Sequence, residues 1–262
     1  MSSSEVLIYI DNHVATVTLN RPKRGNSLTP SMNRQLREAL SKLEKDPEVR
    51  VLVVTGAGKY FCSGMDLGGS RDPEELQKSV DTAFDLFDAF YRFPKPVIAR
   101  INGPALGGGV GLVFTTDIRI AAEDVYFALP ETKRGLIPAI ISQYLVPELG
   151  VQKTREYAMT GRKVSTAESP FLSSVVPAAH LDAKVNEYAE MLKKAAPGAI
   201  TDIKNLVHKV AKDAEHEARA REDVKAAFSA MLQSEEAAYG MQAFLNKTEP
   251  DWQAFLKNSS KL

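Results

Sequence analysis

Two short apolar runs, each followed by a glycine-rich turn, constrain the fold of this chain most strongly. Val49–Thr55 (VRVLVVT) and Val97–Ile101 are almost continuously apolar, which is typical of strands buried on both faces of a parallel sheet. The first run leads into the glycine-rich segment 56–69, and the second leads into Gly107–Gly109. Because parallel neighbours need a crossover connection, usually a helix, the sequence predicts repeated strand–turn–helix units.

The rest of the chain carries ordinary hairpin and helix signals. We expect a β-hairpin of Val6–Ile10 and Val14–Leu19 around Asp11-Asn12, helices from Pro30 to about Lys45 and from Pro73 to about Tyr91, a helix after the second glycine turn to about Thr116, short strands at Ile118–Ala121 and Tyr126–Ala128, and helices at 182–195, 197–212, 217–233 and 234–246. The prediction is an α/β fold with a core of residues 1–195 and a helical C-terminal region of residues 196–262. Within that region we expect 226–245 to form a subunit interface, with a lid packed on its own core as the alternative.

Composition excludes several classes of protein. The 262 residues include 33 basic and 33 acidic side chains, so the chain lacks the basic excess of a dedicated nucleic-acid binder. Its one cysteine, Cys62, excludes an intrachain disulfide and a cysteine-rich metal site. No apolar run reaches the length of about 18 residues that a membrane-spanning helix needs. The tripeptide Ser260-Lys261-Leu262 predicts peroxisomal localisation through an import receptor.

The familiar catalytic and nucleotide-binding motifs are missing. Gly56–Tyr60 lacks the spacing of a phosphate-binding P-loop, and Phe61 stands where a dinucleotide fingerprint needs its third glycine. Cys62 is interpreted as a packing residue rather than a nucleophile. What remains are the two glycine turns, FCSGMDL (61–67) and ALGGG (105–109). Unpaired backbone N–H groups from two such turns would form an oxyanion hole if they converged.

Several motifs in register carry a resemblance to a known family. They are NRP (20–22), NSL (26–28), FCSGMDL (61–67), KPVIARINGPALGGG (95–109), DIRIAAEDVYFALPE (117–131) and GLIP (135–138). Together they resemble the enoyl-CoA hydratase/isomerase (crotonase) superfamily from about Val14 to Ile141, with thinner similarity beyond. The resemblance implies a crotonase-like spiral of β-β-α turns and a C-terminal helical region that builds homotrimers, often paired into hexamers. It also implies an acyl-CoA substrate and neither a metal nor a separate cofactor.

The resemblance assigns roles to individual residues. It implies that the backbone N–H groups of Met65 and Gly108 form the oxyanion hole and that Glu131 is the catalytic acid/base. It implies contacts with coenzyme A from Arg24, Ser63, Gly64, Asp66, Leu67, Gly107, Phe244 and Lys247. Lys247 would reach the CoA phosphates from a neighbouring subunit, and Lys59 is a second candidate for a phosphate contact. Solvated surface charge is the alternative for both lysines.

Two positions decide the chemistry. Family hydratases carry two glutamates around the thioester, and the place of one of them is taken here by Gly111. The other is Glu131, whose apolar sequence neighbours should raise its pKa by desolvation. An acid after Leu67 (Asp72, Glu74 or Glu75) could substitute for the missing one. Losing one acid favours a double-bond isomerase.

The local sequence favours a hydratase instead. Segments 109–112 and 136–142 resemble hydratases for branched enoyl-CoAs, in which the missing side chain would leave room for a branch at C3. We therefore predict a hydratase/dehydratase acting on 2-enoyl-CoA and 3-hydroxyacyl-CoA through a thioester enolate. A Δ3-Δ2-enoyl-CoA isomerase that uses Glu131 alone and a non-catalytic acyl-CoA-binding protein are the alternatives.

Overall fold

The computed structural model describes residues 4–66, 73–211, 214–252, 254 and 255. Its strands are β1 (Val6–Asp11), β2 (Val14–Leu19), β3 (Val51–Gly56), β4 (Val97–Ile101), β5 (Ala105–Leu106), β6 (Ile118–Ala122), β7 (Tyr126–Ala128), β8 (Val164–Ser165) and β9 (Ser174–Val176). Its helices are α1 (Pro30–Lys45), α2 (Pro73–Tyr91), α3 (Gly108–Phe114), α4 (Ala139–Thr160), α5 (Leu181–Lys194), α6 (Pro197–Ala211), α7 (Ala214–Leu232) and α8 (Glu235–Leu245). Leu67, Asp72 and the C-terminal tripeptide Ser260–Leu262 lie outside the described residues, so peroxisomal localisation stays a prediction.

Two sheets organise the core. The larger sheet has the order β1-β2-β3-β4-β6-β9, and all of its neighbours are parallel except the β1–β2 hairpin. The smaller sheet has the order β5-β7-β8, with β5 and β7 parallel and β7 and β8 antiparallel. Every residue of β3 is buried, as its continuous apolar run predicts. The α/β prediction is therefore confirmed.

The hairpin and α1 form for local reasons. The turn residues are Asn12 and His13, with φ values of 44° and 64°, because Asp11 already pairs with Val14. The turn thus lies one residue later than expected. At the start of α1, the Thr29 hydroxyl accepts a hydrogen bond of 2.9 Å from the backbone N–H of Met32, which satisfies one of the free amides of the first turn.

Three short strands and one helix bend were not predicted. The strands β5, β8 and β9 contain two or three residues each, which is too short for a sequence period to show. Helix α4 bends at Gly150, whose φ of 74° is not helical. The predicted strands and helices keep their order along the chain, and the three short strands and α4 are added between them.

The C-terminal helices pack on the chain's own core. Arg221 and Lys225 of α7 form ion pairs with Asp88 and Asp81 of α2. Met231 and Ala237 are buried together with Leu136 in a small apolar cluster. The inner face of residues 226–245 therefore contacts its own chain, whereas a contact of the outer face with a second subunit and a domain boundary at residue 195 stay predictions. No helix in the described ranges is both long and apolar enough to cross a membrane.

Candidate active site

The two glycine turns lie side by side. The residues Cys62 and Ala105 form a parallel bridge, and the backbone N–H of Leu106 donates to the Cys62 carbonyl at 2.9 Å. A Cβ atom added to Gly64 would lie 3.2 Å from the amide nitrogen of Gly108, and one added to Gly108 would lie 3.4 Å from that of Met65. The structure thus brings the two predicted oxyanion donors together.

Local hydrogen bonding leaves both of these amides free. The backbone N–H of Leu28 donates to the Gly64 carbonyl at 2.8 Å, and that of Asp66 donates to the Leu28 carbonyl at 2.9 Å. Because these bonds flank Met65 in a parallel bridge, its own N–H points to the opposite side. Gly108 is the first residue of α3, where an amide has no partner within the helix. Neither amide donates to another group in the described part of the chain.

Gly107 joins this pair of amides to Glu131. Its N–H donates to the Ala128 carbonyl at 2.9 Å, and its φ of 51° is in the left-handed region that favours glycine. A Cβ atom at this position would lie 2.7 Å from Oε1 of Glu131. Any other residue would therefore both strain the backbone and push the carboxylate away.

Burial sets the proton affinity of Glu131. It lies on the short 3-10 helix Pro130–Arg134, and its Oε2 atom is buried without a hydrogen-bond partner among the described groups. Desolvation raises the pKa of this carboxyl from 4.5 to about 7, and a favourable charge interaction with Arg134 offsets part of the rise. A carboxyl group with a pKa near neutrality can both accept and donate a proton.

No second acid stands at Gly111. A Cβ atom added there would lie only 2.1 Å from Cγ2 of Ile141 and 3.2 Å from Cε1 of Phe87. The expectation that the missing side chain leaves room for a substrate branch is therefore wrong, since Ile141 fills the space. The backbone of Glu74 and Glu75 belongs to α2, but their side chains, like the whole of Asp72, are outside the described part.

Two of the predicted CoA contacts form one surface. The amide of Ser63 donates to the Gly25 carbonyl at 2.9 Å, and the Ser63 hydroxyl donates to the Arg24 carbonyl at 3.4 Å. The side chains of Arg24 and Lys59 are exposed nearby on the two packed loops. This arrangement offers backbone groups and cations to a ligand at the outer end of the glycine turns.

The carboxylate of Asp66 is already used inside the protein. Its Oδ2 accepts hydrogen bonds from Arg21 at 2.9 Å and from the Ser27 hydroxyl at 3.2 Å. Arg21 also pairs with Glu5 at 3.0 Å. A contact between Asp66 and CoA would therefore come from the backbone, and the neighbouring Leu67 is outside the described residues.

Phe244 and Lys247 lie near the other end of the site. The guanidinium of Arg134 stacks over the Phe244 ring, 4.4 Å from its centroid. Lys247 is exposed, and its amide donates to the Phe244 carbonyl at 3.1 Å. These contacts place the pair beside the turn that carries Glu131 within one chain, and an approach of Lys247 to CoA across a subunit boundary stays a prediction.

Sequence reasoning missed the part that Asn26 plays in the site. Asn26 is buried with a φ of 56°, and its side-chain amide donates to the carbonyls of Ala57 and Tyr60 at 2.9 and 2.8 Å. It thereby holds the loop that leads to the first oxyanion turn, a role that its place in the NSL motif alone does not reveal. Cys62 on this loop is buried, which raises the pKa of its thiol to about 12 and supports the packing interpretation.

Comparisons with known proteins agree with this geometry. The family model "Enoyl-CoA hydratase/isomerase" matches residues 9–255. The enoyl-CoA hydratase ACTT6 of Alternaria alternata is 38% identical over 233 residues, which cover 87% of this chain and 77% of that protein. The enoyl-CoA hydratase EchA19 of Mycobacterium tuberculosis is 31% identical over 261 residues, which cover 96% and 97%.

A solved structure shares the whole fold. The crystal structure of a putative enoyl-CoA hydratase from Mycobacterium avium paratuberculosis superposes with a TM-score of 0.86 at 30% identity, covering 95% of this chain and 99% of that one. This likeness confirms the crotonase-like fold that the motifs predicted. The chain belongs to the enoyl-CoA hydratase/isomerase family.

Proposed function

We propose that this protein hydrates 2-enoyl-CoA thioesters and dehydrates the corresponding 3-hydroxyacyl-CoAs. One observation carries the proposal. The free amides of Met65 and Gly108 lie next to Gly107, and the buried carboxylate of Glu131 lies against that same glycine. Relatives named as hydratases, which this chain matches over most of its length, support the same reaction class.

The amides act on the thioester carbonyl. A substrate oxygen between the N–H groups of Met65 and Gly108 would receive two hydrogen bonds that strengthen as negative charge develops on it. Loss of one such donor in other enzymes costs about 3–4 kcal/mol of transition-state stabilisation. Because both donors belong to the backbone, the Met65 side chain is not needed for this step.

Glu131 moves the proton. As an ionised carboxylate it takes a proton from water while the water oxygen bonds to C3, and the C2=C3 electrons move toward the thioester oxygen as an enolate. The protonated Glu131 then donates to C2, the carbonyl re-forms, and the carboxylate is restored. A pKa of about 7 suits both halves of this cycle.

An isomerase is the second candidate, and the packing at Gly111 favours it. Since Ile141 occupies the place of a second acid, Glu131 could instead take a proton from C2 of a 3-enoyl-CoA and return it to C4. The C3=C4 double bond would then become C2=C3 through a dienolate held at the same two amides. A non-catalytic acyl-CoA-binding protein would bind the thioester at the same amides without turnover.

One assay separates these three candidates. Purified protein is incubated with a straight-chain 2-enoyl-CoA and, separately, with a 3-enoyl-CoA, and the products are identified by mass. We expect the 2-enoyl-CoA to gain one water. We expect Glu131→Gln to slow that reaction by about 10²–10⁴-fold, while Met65→Leu retains it. Conversion of the 3-enoyl-CoA to its 2-enoyl isomer without a hydroxyacyl product would establish the isomerase, and binding without any product would establish the binding protein.

We also propose that the protein forms homo-oligomers through α6. Four apolar side chains, Ile203, Leu206, Val207 and Val210, follow one another at helical spacing and are 54–80% exposed. No described side chain of this helix is buried in the monomer. Val210→Asp should lower the molecular mass measured by light scattering, whereas Asp202→Asn on the same helix should not.

A further inference from the structure

Three glycines lie within about one helical turn at the start of α3. The amide of Gly111 donates to the Gly107 carbonyl at 3.1 Å, so Gly111 lies one turn along the helix from Gly107. The missing Cβ atoms of Gly107, Gly108 and Gly111 would meet different neighbours: Glu131, Met65, and Ile141 with Phe87. We call this group of three glycines the glycine floor.

The glycine floor fixes where an acyl chain can lie. In the proposed reaction the carbonyl of the acyl group binds the amides of Met65 and Gly108, and Glu131 must reach C2 and C3 from the side of Gly107. Because Gly108 carries no side chain, the thioester end of the acyl group can approach its backbone closely. One helical turn further along, the side chains packed against Gly111 are those of Ile141 and Phe87.

Ile141 is the tighter of these two contacts. Its Cγ2 methyl lies 2.1 Å from the position that a Gly111 Cβ would take, whereas the nearest Phe87 atom lies 3.2 Å away. Both side chains are buried, so neither can move aside without repacking its surroundings. The three atoms nearest to that position, two of Ile141 and one of Phe87, are all carbons, so the wall beside Gly111 is apolar.

We propose that Ile141 is a specificity-determining residue: its Cγ2 methyl, seated on Gly111, limits the substituent that the acyl chain carries at C3. The wild-type site then takes 2-enoyl-CoAs with hydrogen at C3 in preference to 3-methyl-branched ones. This inference rests on the proposed hydratase function.

The experiment compares kcat/KM for a short straight-chain 2-enoyl-CoA and for its 3-methyl-branched counterpart. Ile141→Ala should raise the branched-to-straight ratio by about tenfold or more, the usual effect of one methyl or methylene group in an apolar pocket. Ile141→Leu should raise it too, because leucine keeps the volume but has no methyl on Cβ. Ile140→Ala and Ile140→Leu, at the adjacent buried position of the same helix, are the matched controls and should leave the ratio unchanged.

Different outcomes would overturn the role of Ile141 and the proposed hydratase function. Wild-type preference for the branched substrate would overturn the inference, as would an unchanged ratio in Ile141→Leu. If Ile141→Ala does not fold, Ile141→Leu alone decides, since volume-conserving apolar exchanges are tolerated best. Absence of turnover on both substrates by the wild-type protein would overturn the proposed function, and the inference would fall with it.

Discussion

Replacing Glu131 by glutamine should make the protein more stable above neutral pH while it strongly lowers activity. The carboxyl is buried, and the pKa of this group rises from 4.5 to about 7 on folding. Glutamine has nearly the same shape but carries no charge to desolvate. The variant therefore isolates the cost of holding an ionised group in this site.

The sign and size follow from proton linkage. Between pH 4.5 and about 7 the folded state binds more protons at Glu131 than the unfolded state does, so stability from this group falls as pH rises through that window. A pKa difference of about 2.5 corresponds to about 3 kcal/mol once both states are ionised. The Glu131→Gln protein should thus gain stability over wild type progressively, reaching up to about 3 kcal/mol above pH 8.

The assay is urea unfolding at a series of pH values, with activity measured on the same samples. General acid–base catalysis contributes about 10²–10⁴-fold, so hydration should fall by that factor while the unfolding midpoint rises. Glu123→Gln, at an exposed position, controls for the loss of one negative charge. A stability difference that stays constant or shrinks with rising pH would refute the reasoning.

The pH profile and further substitutions test the remaining parts of the site. The wild-type kcat/KM should fall with a single ionisation below about pH 7 as Glu131 takes up a proton. Gly108→Ala should reduce activity by about 10²–10³-fold, because its methyl would lie 3.4 Å from the Met65 amide nitrogen. Met65→Leu should stay within a few-fold of wild type, because only its backbone acts. Gly111→Ala should destabilise the protein by about 1–3 kcal/mol through overpacking against Ile141, and Ile141→Ala should recover part of the loss.

A specific result would contradict each of these predictions. Two ionisations on the acid limb would indicate a second titrating acid in the site. Full activity in Gly108→Ala would place the carbonyl elsewhere, and a large loss in Met65→Leu would give its side chain a role. Additive effects of the Gly111 and Ile141 substitutions in urea unfolding would show that the two residues do not interact.

The sequence predicted those parts of the fold that depend on local pattern. The buried strands β3 and β4 are long apolar runs, and α1 has its Thr29 cap in the sequence itself. The bend of α4 at Gly150 and the two-residue strand β5 depend on tertiary contacts, which no local period encodes.

The residues of the candidate site show the same difference between local pattern and tertiary contact. Met65, Gly108 and Glu131 could be proposed because they belong to recognisable motifs. The filling of the Gly111 space by Ile141 could not, because it depends on how α4 packs against α3, and a gap in a sequence pattern does not reveal which neighbour occupies it. Asn26 was hidden for a similar reason, since its partners Ala57 and Tyr60 lie far along the chain.

The glycine floor has a consequence for how this protein can diverge. In the proposed reaction the thioester carbonyl is held by main-chain amides, so exchanges of the surrounding side chains leave those donors in place. The proposed acid/base, Glu131, lies on the short helix Pro130–Arg134, whereas the apolar side chains packed on Gly111 come from α2 and α4. In this proposal the reaction type and the choice of substrate depend on different segments of the chain. Substitutions in one segment can therefore change one property while the other is kept.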